Sequence, residues 1–106
     1  MLERDIEDYL VKRVKELGGE VRKVQWLGRN SAPDRVVMLP NGRTFAVDEI
    51  GGGRTIWVEV KNPKTIVTFP ADARERAQHR EHERMRKMGQ RVEVIGTLEG
   101  VEGLLS

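Results

Sequence analysis

The 106-residue sequence carries 19 Lys and Arg against 17 Asp and Glu, no cysteine, and only 5% aromatic residues. A chain of this length forms one domain that buries roughly 60–70% of its unfolded surface, here around an aliphatic core beneath a densely ionic surface. The lack of cysteine excludes a disulfide framework, a thiolate metal site and a cysteine nucleophile, and no apolar run approaches the ~20 residues of a membrane span. A net charge of +2 does not by itself announce a nucleic-acid binder.

Residues Leu2 to Leu17 predict an amphipathic helix. Leu2, Ile6, Tyr9, Leu10, Val14 and Leu17 fall at the spacing of one buried face, and Gly18-Gly19 supplies the C-cap. Stepping 100° per residue places Glu7 between Val11 and Val14, so its carboxylate points at the edge of that face. Glu3 and Arg13 share the arc, and Glu7 reads either as a salt-bridged, snorkelling side chain or as a functional acid. Glu20 to Trp26 alternates apolar and polar residues as a half-solvated strand does. Leu27 to Ala32 is a loop. Pro33 then forces Ala32 to an extended conformation and delivers Asp34 at the mouth of the strand Asp34 to Leu39. Pro40-Asn41-Gly42 is a turn, with Thr44 to Val47 as the hairpin partner. The three glycines within Asp48 to Arg54 mark a loop tip, and no P-loop or dinucleotide fingerprint follows them.

Thr55 to Lys61 is the strongest strand signal, with Ile56, Val58 and Val60 on one face and Trp57, Glu59 and Lys61 on the other. Residues two apart on a strand share a face at roughly 6–7 Å, so Glu59 and Lys61 project into one cleft. Asn62-Pro63 stops the strand. A second helix runs from Ala71 to Met88 and closes at Gly89, Arg91 to Ile95 is a further strand, and Thr97 caps a short final helix ending at Leu104-Leu105. The apolar stripe of the second helix is thin, Glu81 and Arg84 interrupting Ala73, Ala77, Met85 and Met88. Its many arginines and glutamates fit either a solvated, ion-paired face or a surface turned to phosphate. This order of elements predicts an α/β fold with a central mixed sheet flanked by helices and a parallel crossover from Thr55 to Ile95.

Asp34, Glu59 and Lys61 form a constellation suited to phosphodiester hydrolysis. Hard divalent cations take oxygen ligands, which Asp34, Glu59 and the carbonyl of Val60 offer. Lys61 would orient or deprotonate the attacking water, or neutralise developing charge. His79 and His82 stand three apart on a helix with no companion Cys or His, which argues against zinc and for surface or phosphate-contacting roles.

The blocks RDIEDYL with Glu7, GRNSAPDRVV with Asp34, VEVK with Glu59 and Lys61, and QHREHERMRKMGQRVEVI with Gln78 resemble the VRR-NUC (virus-type replication-repair nuclease) domains of the PD-(D/E)xK nuclease superfamily over almost the whole chain. The resemblance implies a restriction-endonuclease-like core in which Asp34 and Glu59 bind Mg²⁺ or Mn²⁺, Lys61 is the catalytic lysine, and Glu7 and Gln78 support the site. Two departures stand out: Asp48 to Arg54 lengthens the connection between Asp34 and Glu59, and Ser31-Ala32 stands where the family has Gly before Pro-Asp. The expectation is a single nuclease domain over residues 1–106. It would act inside a cell, in a host if phage-encoded, as a symmetric dimer on DNA, with four-way junctions as the expected substrate and Arg29, Arg35, His79 and Arg80 as DNA contacts. A non-catalytic nucleic-acid-binding module and a restriction-type nuclease subunit are the alternatives. Asp34→Ala and Glu59→Ala separate binding from cleavage, and site-specific cutting of linear duplex would mark the restriction type.

Overall fold

The computed structural model describes residues 1–40 and 53–106. The expected Thr44 to Val47 strand, Asn41-Gly42 of the turn and residues 48–52 of the glycine-rich tip lie outside them. Among the described residues, three α-helices and four strands follow in the order α1 (Glu3–Glu16), β1 (Glu20–Lys23), β2 (Arg35–Leu39), β3 (Arg54–Val60), α2 (Ala73–Lys87), β4 (Val92–Ile95) and α3 (Leu98–Leu105). The strands lie side by side in that same order, antiparallel from β1 to β3 and parallel from β3 to β4. The mixed sheet and the parallel crossover through α2 are as the alternation and helix spacing predict.

Strand alternation sorts side chains to the two faces of the sheet. Val37 opposes Ile56 and Val60 lies beside Ile95. With Leu39 and Val58 these residues meet Ile6, Leu10 and Val14 of α1 and Val101, Leu104 and Leu105 of α3 in one aliphatic core. Each such side chain contributes on the order of 1.5–3 kcal/mol by leaving water. Tyr9 Oη and Arg13 Nε both donate to Glu102 Oε2, at 2.6 and 2.7 Å, which ties α1 to α3 at the core's rim. The opposite face carries Val36, Trp57 and Glu59 and is covered by α2.

Several expected boundaries shift for local reasons. Leu2 and Leu17 are exposed because the buried stripe of α1 spans only Ile6, Leu10 and Val14. Gly18, at φ +81°, ends the helix as expected. β1 stops at Lys23, and Trp26 leaves the strand to pack on Trp57 with ring centroids 5.8 Å apart. α2 begins at Ala73 rather than Ala71, because Asp72 is the N-cap: its carboxylate accepts the Glu75 N–H at 2.8 Å while Glu75 Oε1 accepts the Ala71 N–H at 2.8 Å. A 3-10 turn, Ile66–Thr68, fills part of the connection from β3.

Lys61 lies one residue beyond β3, yet its N–H still bonds to Ile95 O at 2.7 Å. The alternation of β3 therefore carries through to the lysine. Gly96 permits this strand end to close, since a Cβ there would sit 2.4 Å from Ile66 Cβ and 2.8 Å from Asn62 O. No helix among the described residues is long and apolar enough to cross a membrane.

Candidate active site

Asp34 leads into β2 behind the buried Pro33, at the end of a loop in which Ser31 takes φ +72°. Its Oδ2 accepts the backbone N–H of Val60 at 2.8 Å, which joins the aspartate to the neighbouring strand. Val60 thus meets Asp34 through its N–H. Glu59, on the α2 face of β3, is 2% exposed. Burial pushes its carboxyl up to about 9, and the adjacent Asp34 carboxylate, by hydrogen bond and by charge, pushes in the same direction. An acid in this state holds its proton at neutral pH unless a cation joins it.

Lys61 is 4% exposed. Its ammonium donates to Gln78 Oε1 at 3.0 Å, lies 3.1 Å from Glu75 Oε2, and stands 5.1 Å from the centre of the Phe69 ring. Gln78 is therefore where helical phase and the resemblance both put it. Glu75 does two jobs: one oxygen caps α2 and the other holds Lys61. The Ala71 N–H, followed by Lys61, keeps the Glu75 carboxyl below its usual range.

Glu7 approaches from α1. Carboxylate oxygens of Glu3, Glu7 and Asp34 lie within 4.8 Å of one another, so Asp34 links the α1 acids to the β3 site. Glu7 Oε2 also accepts from Arg35 Nη2 at 2.8 Å, so its position at the edge of the buried face reflects an ion pair and the acid cluster together. Burial, then Asp34 and Glu7, raises the Glu3 carboxyl. Oxygen-only donors crowded in this way fit a hard divalent cation, which offsets their mutual repulsion.

The expected DNA contacts have separate surroundings. Arg35 is held by Glu7 and by the Asp34 carbonyl. Arg29 is bound to the buried Glu81, with Nη2 2.5 Å from Oε1. Glu81 also accepts from Trp26 Nε1 at 3.1 Å and Arg84 Nη2 at 2.9 Å. His79 and Arg80 are exposed on α2, His79 with its ring against Phe69 at 6.4 Å. The expectation of a surface role fails for His82, which is 0% exposed. It packs beneath Phe69 at 6.0 Å, with Nε2 3.4 Å from Glu59 Oε1. Burial and the Arg86 guanidinium depress its pKa to about 4, so it is neutral.

Glu3, Phe69, Glu75 and His82 were not singled out from the sequence as parts of the site. A signal for the two on α2 exists: Glu75, Gln78, His82 and Met85 fall on one helical stripe, and this is the face α2 turns inward. Beside it, an open cleft of about 440 Å³ is lined by Asn30, Ser31, Ala32, Arg74, Ala77 and Gln78.

No family model matches the chain. It is 36% identical over 93 residues to the protein named "Putative nuclease p44" of Acyrthosiphon pisum secondary endosymbiont phage 1, covering 88% of this chain and 81% of that one. A solved VRR_NUC domain superposes with a TM-score of 0.71 at 35% identity, over 97% of this chain and 92% of the other. The chain belongs to the VRR-NUC nuclease family. As a VRR-NUC protein it has the α/β nuclease fold, and this fold implies the use of a divalent metal. Among the described residues, the acid cluster of Glu3, Glu7 and Asp34 is where such a donor set converges.

Proposed function

We propose that this VRR-NUC protein is a single-domain DNA endonuclease that hydrolyses phosphodiester bonds in branched DNA, four-way junctions above all, with Mg²⁺ or Mn²⁺ and as a symmetric dimer. The observation that carries the reading is the buried Glu59 beside Asp34, with Lys61 pinned by Gln78 and Glu75 on the same face. Asp34, Glu59, Glu7 and the Val60 carbonyl would hold the cation. When bound, it supplies Lewis-acid stabilisation of charge developing on the phosphoryl oxygens and eases formation of a hydroxide nucleophile.

The chain's own residues do the rest. Asp34, tied to the Val60 N–H, presents its second oxygen in a fixed direction. Lys61 has its ammonium held by two acceptors, so it can orient a water or neutralise negative charge on the phosphate without first ordering itself. Phe69 covers the lysine and keeps it largely dry. Arg74, His79 and Arg80 provide the exposed donors for the DNA backbone, while Arg29 and Arg35 would act from within their ion pairs. A two-fold dimer would place two such sites on paired strands.

The test is a panel of labelled four-way, flap, splayed and linear duplex DNA with Mg²⁺ or Mn²⁺, run beside mass measurement in solution. The reading expects cleavage of branched species by a dimer. Site-specific cutting of linear duplex would favour a restriction-type subunit, and binding without any cleavage a non-catalytic module.

A further inference from the structure

Among the described residues, three buried side-chain atoms stand without a hydrogen-bond partner: Glu59 Oε1 and both ring nitrogens of His82. Two of them face each other, His82 Nε2 and Glu59 Oε1 being 3.4 Å apart. Both residues sit on elements fixed by other contacts. Glu59 lies in β3 between paired strands, and His82 is on the inward stripe of α2, its ring stacked on Phe69 at an interplanar angle of 26°. Phe69 in turn covers Lys61, so one aromatic ring bridges the histidine and the lysine.

We propose, resting on the metal-dependent nuclease reading, that His82 is a positioning residue which donates Nε2–H to Glu59 Oε1 and so aims the other carboxylate oxygen at the cation. A neutral imidazole has one N–H donor and one acceptor nitrogen. Closing the gap by a few tenths of an ångström makes the hydrogen bond and satisfies two of the three unpartnered atoms. Carboxylate ligands of metals are themselves held by such outer contacts, and losing one costs about 10–100-fold in affinity or activity. His82 contacts neither the cation nor the substrate in this arrangement; it acts through Glu59.

His82→Phe keeps an aromatic ring beneath Phe69 and removes the donor. Calorimetric titration of Mn²⁺ into the DNA-free protein should show binding weakened by about 10–100-fold. In junction cleavage kcat should fall while KM for DNA holds. His82→Gln, which retains an N–H donor, should recover much of both. In wild type saturated with Mg²⁺, long-range ¹H–¹⁵N spectra of the imidazole should show the Nε2-protonated tautomer, a readout that does not depend on either variant folding. Unchanged Mn²⁺ affinity in folded His82→Phe, or an Nδ1-protonated ring in the Mg²⁺-saturated wild type, overturns the proposal. A wild type that binds Mn²⁺ and loses that binding in His82→Phe, yet cuts no DNA, keeps the positioning role and removes the nuclease reading.

Discussion

Asp34 and Val60 are joined across two strands by a 2.8 Å hydrogen bond from the Val60 N–H to the aspartate Oδ2. The same aspartate stands against Glu59 and against the α1 acids Glu3 and Glu7. On the proposed reading its acceptor is structural, whereas its charge serves the cation and, without metal, destabilises the fold. Asp34→Asn retains an acceptor and removes the charge. Its melting temperature without divalent metal should therefore match or exceed that of wild type at neutral pH. Cleavage should fall by about two to three orders of magnitude, the scale of losing one charge-stabilising group. Parallel thermal melts and cleavage assays check both halves. A loss of stability as large as the loss of activity would count against this division of roles.

Stability without metal should depend on pH in two opposed ways. Glu59 has a folded pKa of about 9 against 4.5 unfolded, so the native state binds more protons between these values and stability falls as pH rises through them. His82 has a folded pKa of about 4 against 6.5 unfolded, so the unfolded state binds more protons there and stability rises with pH from about 4 to 6.5. The two effects oppose one another below pH 6.5, and above it only the decline from Glu59 remains. Melts from pH 6.5 to 9 should show this decline in wild type and a flatter profile in Glu59→Gln. Metal binding near pH 7.5 should also release a proton, seen as a dependence of the calorimetric enthalpy on buffer ionisation.

Lys61 should tolerate loss of either partner better than loss of both. Gln78→Ala leaves the Glu75 contact at 3.1 Å, whereas Glu75→Gln keeps one acceptor oxygen where two serve Ala71 and Lys61, its NH2 taking the place of the other. Each single variant should cut DNA more slowly by about 10-fold, and the pair should show a coupling of about 0.5–3 kcal/mol in the activation free energy, as groups sharing one network do. Strict additivity in a double-mutant cycle would mean that the two do not position the lysine jointly.

Glu81 anchors the loop between β1 and β2 onto α2 through Arg29, with Trp26 and Arg84 as further donors. Glu81→Ala should cost about 1–2 kcal/mol, because the half-exposed guanidiniums regain water. Hydrogen exchange across residues 27–32 should quicken, and DNA cleavage should weaken with it, since this loop lines the cleft beside Gln78. Urea melts and exchange mass spectrometry measure the two effects separately.

The sheet, the aliphatic core and the trio of Asp34, Glu59 and Lys61 were legible because strand alternation is a local property that determines which side chains share a face. Glu75, Glu81 and His82 were harder to read. On a helix so rich in charge they look like a solvated surface, and only the tertiary structure shows that Lys61, Arg29 and Glu59 come to meet them. The apolar stripe looked thin because the inward face of α2 is polar by construction: Glu75, Gln78 and His82 occupy places that aliphatic residues hold in α1. The alternation of Glu20 to Trp26 places Trp26 in a strand, yet packing against Trp57 at a tilt and bonding to Glu81 draw it out.

In the proposed chemistry a cation held at Asp34 and Glu59 beside Lys61 cuts DNA. The most direct measurement is cleavage of a labelled four-way junction in Mn²⁺ by wild type and Glu59→Ala, with binding of the same DNA followed in Ca²⁺. Wild type should cut, chelation by EDTA should abolish cutting, and Glu59→Ala should bind the junction with no cleavage. Equal cleavage by Glu59→Ala, or a folded, DNA-binding wild type that cuts no DNA structure with Mg²⁺ or Mn²⁺, would contradict this chemistry.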